Sequence, residues 1–156
     1  MTKQTNEGFT IIGLSIETTT DSTTNFKDLV KLWTDFKSKN IVDLIPNKKD
    51  KNIICIYDSY KRINGEVYEV RATVGCIVKT TNDIPKSLNE AHVNKAIYQK
   101  FNVTGDMPSA IVKKWEDLWN DNEKMSRTFD TDYEFYGEKS FSTENPEMDI
   151  YIGVKG

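Results

Sequence analysis

Hydrophobic and polar residues alternate along several segments of the first half of the chain, and one segment between them has helical spacing instead. Alternation predicts strands over 9–18, 52–60 and 66–80, with a hairpin turn at Asn64 and Gly65. A helix is expected to start at Thr24 or Asn25, which can cap it, and to end near Asn40. Its apolar stripe consists of Phe26, Leu29, Val30, Trp33 and Phe36.

The same order recurs in the second half. Strands are predicted over 93–103, 128–137 and 148–155, and a helix should start near 106–108, where Asp106 can cap it. Segments 30–35 and 112–117 are similar in sequence, and so are 57–60 and 133–136, although identities are few. We therefore predict one domain over 1–156, with repeats at about 8–80 and 92–155 joined by a polar connector, 81–91.

Two β-α-β-β units can join into one curved antiparallel sheet, which makes the predicted fold class α+β. Both helices would cover one face of the sheet and bury their apolar stripes there. We expect a groove for small ligands on the opposite face, at the seam between the two halves.

Composition narrows the possible classes of function. The chain has 156 residues, 37% hydrophobic and 29% charged, which is typical of one globular domain. It has neither an apolar run long enough to span a membrane nor a signal-peptide core, so we expect a cytoplasmic protein without membrane contacts. A net charge of -3 and the lack of a dense Lys/Arg cluster argue against direct binding of nucleic acid.

The residue types needed for metal binding or nucleophilic catalysis do not form a pattern. Cys55 and Cys76 lie in separate apolar runs, which favours buried thiols over a zinc site or a disulfide. His92 is the only histidine and has no cluster of acids or cysteines near it in the sequence. Because Gly-x-Ser-x-Gly turns and phosphate-binding loops are also missing, we predict no metal, no cofactor and no catalytic residue.

Segment 132–136, Asp-Tyr-Glu-Phe-Tyr, places one carboxylate inside an aromatic strand. Alternation sends Glu134 and Tyr136 to one face and Tyr133 and Phe135 to the other. A buried carboxylate must be protonated, be paired within the protein by Arg127 or Lys139, or take its counter-charge from a ligand. The surrounding stretch 116–149 carries eleven acidic residues against three basic ones, which favours cationic ligands.

Aromatic residues elsewhere are candidates for the walls of such a site. Tyr57 and Tyr60 are an odd number of residues apart, so a regular strand would turn at most one of them toward a ligand. Tyr68 and Tyr151 are further wall candidates. Trp33 and Trp115 lie within the helical stripes, which predicts that they belong to the core.

Four features follow one another in the second half of the chain: a helix ending at Trp115 to Trp119, then Arg127, then segment 132–136, and then the closing segment 148–154 (Met-Asp-Ile-Tyr-Ile-Gly-Val). Together with the order of elements, they resemble the GyrI-like effector-binding domains. These domains occur in AraC-type and MerR-type multidrug-sensing regulators and as free-standing proteins, including integron-cassette members. The resemblance covers 9–155. It implies an effector domain in which Glu134 pairs with lipophilic cations inside an aromatic pocket and Trp119 contacts the ligand. Because Phe9 starts the domain with no helix-turn-helix before it, we expect this effector domain to be free-standing.

Two positions depart from the family pattern. Relatives usually have proline where this chain has Gly153, a difference that we expect to loosen a sheet edge. Relatives often have an acidic residue at the position of Ile77. Because isoleucine carries no charge, we expect Glu134 to lack an auxiliary negative charge near it.

Three hypotheses about function follow. The first is a binding protein for small hydrophobic, often aromatic, cations. Its candidate ligand-binding residues are Glu134, Tyr136, Trp119, Tyr57, Tyr60, Tyr68 and Tyr151. The second is a hydrolase of strained-ring or other toxic small molecules, since some relatives resemble such enzymes, with Glu134 as general base. The third is an interaction module for a topoisomerase or a regulator, since the family name suggests a protein partner.

Overall fold

The computed structural model describes residues 3–156, apart from the side chain of Glu123, and within them eight strands form one antiparallel sheet. The strands are β1 (Lys3–Asn6), β2 (Phe9–Thr19), β3 (Ile53–Asn64), β4 (Val67–Ile77), β5 (Asn89–Val93), β6 (Ala96–Thr104), β7 (Arg127–Tyr136) and β8 (Glu147–Val154). The helices are α1 (Ser22–Ser38), α2 (Ile41–Leu44), α3 (Ser109–Asn120) and α4 (Asn122–Met125), followed by a 3-10 turn over Glu138–Phe141. None of these helices is long and apolar enough to cross a membrane.

The order of strands in the curled sheet is β1-β6-β8-β7-β3-β4-β2-β5. The predicted α+β fold with two β-α-β-β units in one antiparallel sheet is thereby confirmed. β3 and β7 pair at the centre, and each half adds its other strands outward from there. β1 pairs with β6 and β5 pairs with β2, so the strand that precedes each unit covers the edge of the other unit. The proposed limits of the two repeats stay predictions.

Several element boundaries differ from the sequence prediction. α1 begins at Ser22 because Asp21 is its cap: the Asp21 carboxylate accepts hydrogen bonds from the backbone amides of Thr23 and Thr24. α3 begins after Pro108 and has no side-chain cap. The segment predicted as a polar connector ends in β5, a five-residue strand in which only Ala91 and Val93 are buried. Such short alternation is too weak a signal to be recognised from sequence.

The two faces of the sheet bury different side chains, in accordance with the period of two. The helix-covered face carries one large apolar cluster, to which Ile12, Cys55 and Tyr57 belong. Their neighbours in the chain, such as Ile11 and Ile56, pack in a smaller cluster on the opposite face. The helices therefore stabilise the sheet on one side only, and the opposite face has a core of its own.

β3 and β7 each contain an irregularity near the same end of the sheet. The register shifts between Asp58 and Lys61 in β3 and between Arg127 and Asp132 in β7. In each case one residue has a left-handed backbone, at φ 59° for Ser59 and φ 55° for Phe129. Such bulges redirect side chains, and a positive φ at an aromatic residue is strained, so the local structure must stabilise it.

Gly153 lies in β8, which pairs with β6 and β7 on its two sides, so the expected loosening of a sheet edge is wrong. Its amide donates a hydrogen bond to Asp132, at 2.9 Å. A Cβ atom at this position would lie 2.7 Å from the carbonyl oxygen of Thr131. Glycine is therefore required by close backbone approach, and proline would also remove the donor.

Candidate functional site

A cavity of about 870 Å³ lies between α1, α3 and the helix-covered face of the sheet. α1 packs on β2 and β4 and α3 packs on β6, so the central strands β3 and β7 are left open between the helices. The expectation of the ligand groove on the opposite face is therefore wrong for this cavity. The candidate residues that line it are Tyr57, Tyr60, Trp119, Glu134 and Tyr136.

Glu134 lies at the floor of the cavity with only 2% of its surface exposed. Its Oε2 accepts a hydrogen bond from the Trp115 indole Nε1 at 2.7 Å, and its Oε1 accepts one from the Tyr136 hydroxyl at 2.8 Å. Burial raises the pKa of Glu134 above its usual value, whereas hydrogen bonds from Trp115, Tyr136, Tyr57 and Cys55 lower it. The net shift in pKa is upward, because four neutral donors replace bulk water incompletely.

Neither of the ion pairs considered for Glu134 is formed. Arg127 pairs with Asp132 at 2.6 Å, and Lys139 lies 3.5 Å from Glu147. Among the residues that the structure describes, Glu134 has no basic side chain within ion-pair distance. The site thus holds a carboxylate with hydrogen-bond donors but without a counter-charge.

Two matching pairs of aromatic rings stand on either side of this carboxylate. Cys55 and Glu134 face each other across the central strands, and two residues further along each strand lie Tyr57 and Tyr136. Trp33 contacts Tyr136 edge to face at a centroid distance of 4.9 Å. Trp115 contacts Tyr57 in the same way at 5.6 Å. The two pairs are related by the approximate two-fold symmetry of the halves.

This symmetry corrects the sequence comparison. The structure matches Tyr57 with Tyr136 rather than with Tyr133, and it matches Cys55 with Glu134. Trp33 and Trp115, which were predicted to be core, both line the cavity. The similarity of segments 30–35 and 112–117 was the available signal, since it marked these tryptophans as equivalent positions.

Tyr57 and Tyr60 both line the cavity, contrary to the prediction that at most one of them would. The reason is the bulge at Ser59, which interrupts the alternation between the two tyrosines. The Tyr60 hydroxyl donates a hydrogen bond of 2.6 Å to Asp132. Burial raises the pKa of Tyr60 well above its usual value, so its hydroxyl remains a donor at neutral pH.

Tyr68 and Tyr151 are not among the residues that line the cavity. Tyr68 stacks on Phe129 at 4.7 Å, and Tyr151 stacks on Tyr133 at 4.5 Å on the opposite face of the sheet. Ile77 also packs against the cluster of that opposite face. An acidic residue at its position would point away from Glu134, so the isoleucine does not change the charge of the cavity.

The mouth of the cavity is apolar and partly exposed, which the sequence did not indicate. Four of its lining residues are large hydrophobic side chains with 38% to 54% of their surface exposed, namely Phe26, Val30, Val112 and Phe141. Two of them, Phe26 and Val30, belong to the apolar stripe that the sequence predicts to be buried in the first helix. Within the described residues no group of three or more histidine, cysteine or acidic side chains is arranged to hold a metal ion.

Comparison with known proteins identifies relatives along almost the whole chain. Residues 4–154 match the family model described as "Cass2: Integron-associated effector binding protein". The protein YobU of Bacillus subtilis (strain 168), which is named provisionally as a transcriptional regulator, is 23% identical over 126 residues, or 80% of this chain and 78% of YobU.

Two solved structures share the fold. One is SAV2435 bound to tetraphenylphosphonium, with a TM-score of 0.79 and 15% identity, covering 99% of this chain and 93% of that chain. The other is an integron cassette protein from the mobile metagenome of Vibrio cholerae, with a TM-score of 0.74 and 22% identity, covering 99% of this chain and 95% of that chain.

Proposed function

The chain belongs to the family of integron-associated effector-binding proteins, and on this basis we propose that it binds small hydrophobic aromatic cations, with Glu134 as the counter-charge. The observation that carries the proposal is a buried carboxylate, in a cavity of about 870 Å³, with no basic partner among the described residues. Burying such a charge is unfavourable unless it is compensated, and a bound cation would compensate it.

The aromatic rings support the proposal independently of the charge. Tyr57, Tyr136, Trp33 and Trp115 stand in edge-to-face pairs beside Glu134. An aromatic face next to a cation stabilises it by about 0.5 to 2 kcal/mol. Several such contacts together with one ion pair are sufficient for micromolar affinity, which corresponds to about 8 kcal/mol.

The proposed site accepts ligands of many shapes but selects for a positive charge. Aromatic and apolar walls reject few shapes, because they do not require a fixed set of hydrogen bonds. The exposed apolar mouth around Phe26 and Phe141 can accommodate groups that extend out of the cavity. A single buried carboxylate, in contrast, favours a positive charge over a neutral or negative one.

Tetraphenylphosphonium and tetraphenylborate provide a direct test, because they have nearly the same shape and opposite charge. We expect tetraphenylphosphonium, which is the ligand of the SAV2435 structure, to quench tryptophan fluorescence saturably with micromolar affinity. Tetraphenylborate should bind at least about 100-fold more weakly, because its charge would meet the Glu134 carboxylate at short range. Similar affinities for the two ions would contradict the proposal.

Affinity for a permanent cation should depend on pH. Burial raises the pKa of Glu134 in the free protein, and a bound cation would lower it by attraction. Binding therefore releases a proton wherever free Glu134 is protonated. Affinity should rise with pH, by up to about tenfold per unit, until the pH exceeds the pKa of the free protein, and then stay constant.

Calorimetric titrations with tetraphenylphosphonium between pH 4.5 and 8, in buffers with different ionisation enthalpies, would measure both the affinity and the released protons. The Glu134→Gln variant is the control, since its residual affinity should not vary with pH through this group. A constant affinity of the wild-type protein across the range would show that Glu134 is not the titrating partner.

The assignments of Tyr57, Tyr60, Trp119 and Tyr136 as ligand contacts are part of this proposal. The hydrolase and protein-partner hypotheses stay predictions, since none of the contacts described above favours either of them. The same holds for a cytoplasmic location.

A further inference from the structure

A second cluster of aromatic rings around a carboxylate lies beside the cavity, and here the protein supplies the cation itself, from Arg127. Arg127 and Asp132 form an ion pair of 2.6 Å, and both side chains are fully buried. The Arg127 guanidinium lies 4.4 Å from the ring centroids of both Trp119 and Phe129. Asn122 accepts a further hydrogen bond from Arg127 at 2.9 Å.

This internal cluster shares two aromatic residues with the cavity. Trp119 and Tyr60 are both cavity-lining residues. Trp119 contacts the guanidinium of Arg127, and Tyr60 donates its hydroxyl to the Asp132 oxygen that Arg127 also contacts. The orientation of these two rings is therefore coupled to the position of one buried guanidinium.

Resting on the proposed function, we propose that Arg127 is a positioning residue for ligand binding, which holds Trp119 directly and Tyr60 through Asp132 as one wall of the cavity. A guanidinium suits this role because it can contact the faces of two neighbouring rings while its N–H groups pair with a carboxylate. A lysine ammonium would keep the charge but lacks the planar surface that contacts both Trp119 and Phe129.

Arg127 also determines which carboxylate is available to a ligand. Because Arg127 neutralises Asp132, Glu134 is the buried carboxylate beside the cavity that remains without a basic partner among the described residues. The internal pair thus leaves Glu134 as the buried carboxylate that a ligand can neutralise, in addition to orienting one wall of the cavity. This gives the ion pair a role in specificity beyond its role in packing.

Arg127→Lys is the primary test, with Arg71→Lys as the matched control. Arg71 also forms a close pair with an aspartate, Asp58, at 2.7 and 2.8 Å, but it lines neither the cavity nor an aromatic wall of it. We expect Arg127→Lys to weaken tetraphenylphosphonium binding by about tenfold. Arg71→Lys should leave the affinity unchanged.

A double-mutant cycle separates positioning from general damage. If Arg127 acts through Trp119, then Arg127→Lys should lose less affinity in a Trp119→Ala background, where only the link through Asp132 to Tyr60 remains. An unchanged affinity in Arg127→Lys alone, or an equal loss in both backgrounds, would overturn the inference. Phe129→Leu removes one of the two rings that contact the guanidinium without changing the ion pair. It should also weaken binding, which keeps the inference testable if Arg127→Lys fails to fold.

Fluorine NMR of protein labelled with 5-fluorotryptophan tests the positioning without any ligand. The Trp119 resonance, assigned by its absence in Trp119→Ala, should be single in the wild type and in Arg71→Lys and should broaden or split in Arg127→Lys. An identical Trp119 resonance in Arg127→Lys would contradict the inference. Failure of the wild-type protein to bind tetraphenylphosphonium would instead contradict the proposed function.

Discussion

Replacing Glu134 by glutamine is expected to weaken tetraphenylphosphonium binding by at least about 30-fold, which is about 2 kcal/mol, because the variant cannot supply a buried counter-charge. The substitution fits the site sterically. The amide oxygen can accept the Trp115 indole hydrogen bond, and the amide nitrogen can donate to the Tyr136 hydroxyl, whose own proton is free to rotate away. Loss of binding would therefore report the charge rather than misfolding.

The same variant should be more stable than the wild type when no ligand is present. Burial raises the pKa of Glu134 in the folded protein above its value in the unfolded chain. The wild-type free energy of unfolding is therefore highest at low pH, where Glu134 is protonated, and it falls as pH rises through the folded-state pKa. A neutral glutamine removes this loss. At neutral pH we expect a higher melting temperature, with roughly 2 to 4 °C for each kcal/mol regained.

Glu147→Gln is the control for both measurements, because Glu147 lies outside the cavity lining and its side chain is in a long, exposed ion pair of 3.5 Å with Lys139. Its affinity and melting temperature should match those of the wild type. If Glu134→Gln and Glu147→Gln bound the cation equally well, Glu134 would have no role in recognition. Tighter cation binding together with a lower melting temperature in Glu134→Gln would contradict both predictions.

Local patterns were sufficient to predict the central strands and the direction of Glu134. Alternation over 132–136 placed Glu134 and Tyr136 on one face and Tyr133 on the other, and the structure has this arrangement. Alternation depends only on backbone geometry within one strand, so it needs no knowledge of neighbouring elements. The same reasoning failed at Tyr60, because the bulge at Ser59 depends on pairing with other strands.

The face on which the cavity lies could not be predicted from periodicity. An apolar stripe indicates which side of a helix meets the sheet, but it does not indicate whether two helices touch each other. Here α1 and α3 pack over the outer strands, so Trp33 and Trp115 stand beside an open space instead of a filled core. Half-exposed Phe26 and Val30 belong to the same stripe and have the same explanation.

The position of the charge breaks the approximate symmetry of the cavity. The aromatic pairs on both sides are equivalent, but Cys55 occupies the place that corresponds to Glu134. Burial raises the pKa of the Cys55 thiol well above its usual value, and the nearby Glu134 adds to this effect. A neutral thiol opposite one carboxylate leaves a single negative charge on this pair of facing residues, which agrees with a preference for monovalent cations.

Replacing Arg127 by methionine should destabilise the fold by about 3 to 5 kcal/mol, because it leaves the fully buried Asp132 carboxylate without its cation. The Tyr60 hydroxyl and the Gly153 amide would still donate to Asp132, but they are neutral. At about 2 to 4 °C per kcal/mol, the melting temperature should fall by roughly 6 to 20 °C.

The double variant Arg127→Met/Asp132→Asn separates the charge from the packing. Without a buried charge, asparagine can keep at least one of the two remaining hydrogen bonds, so the double variant should be more stable than Arg127→Met alone. Calorimetric melting of the single and double variants would measure this difference. A double variant that melts at or below the temperature of the single variant would show that Arg127 stabilises the fold through its contacts with Trp119 and Phe129, and that pairing with Asp132 contributes little.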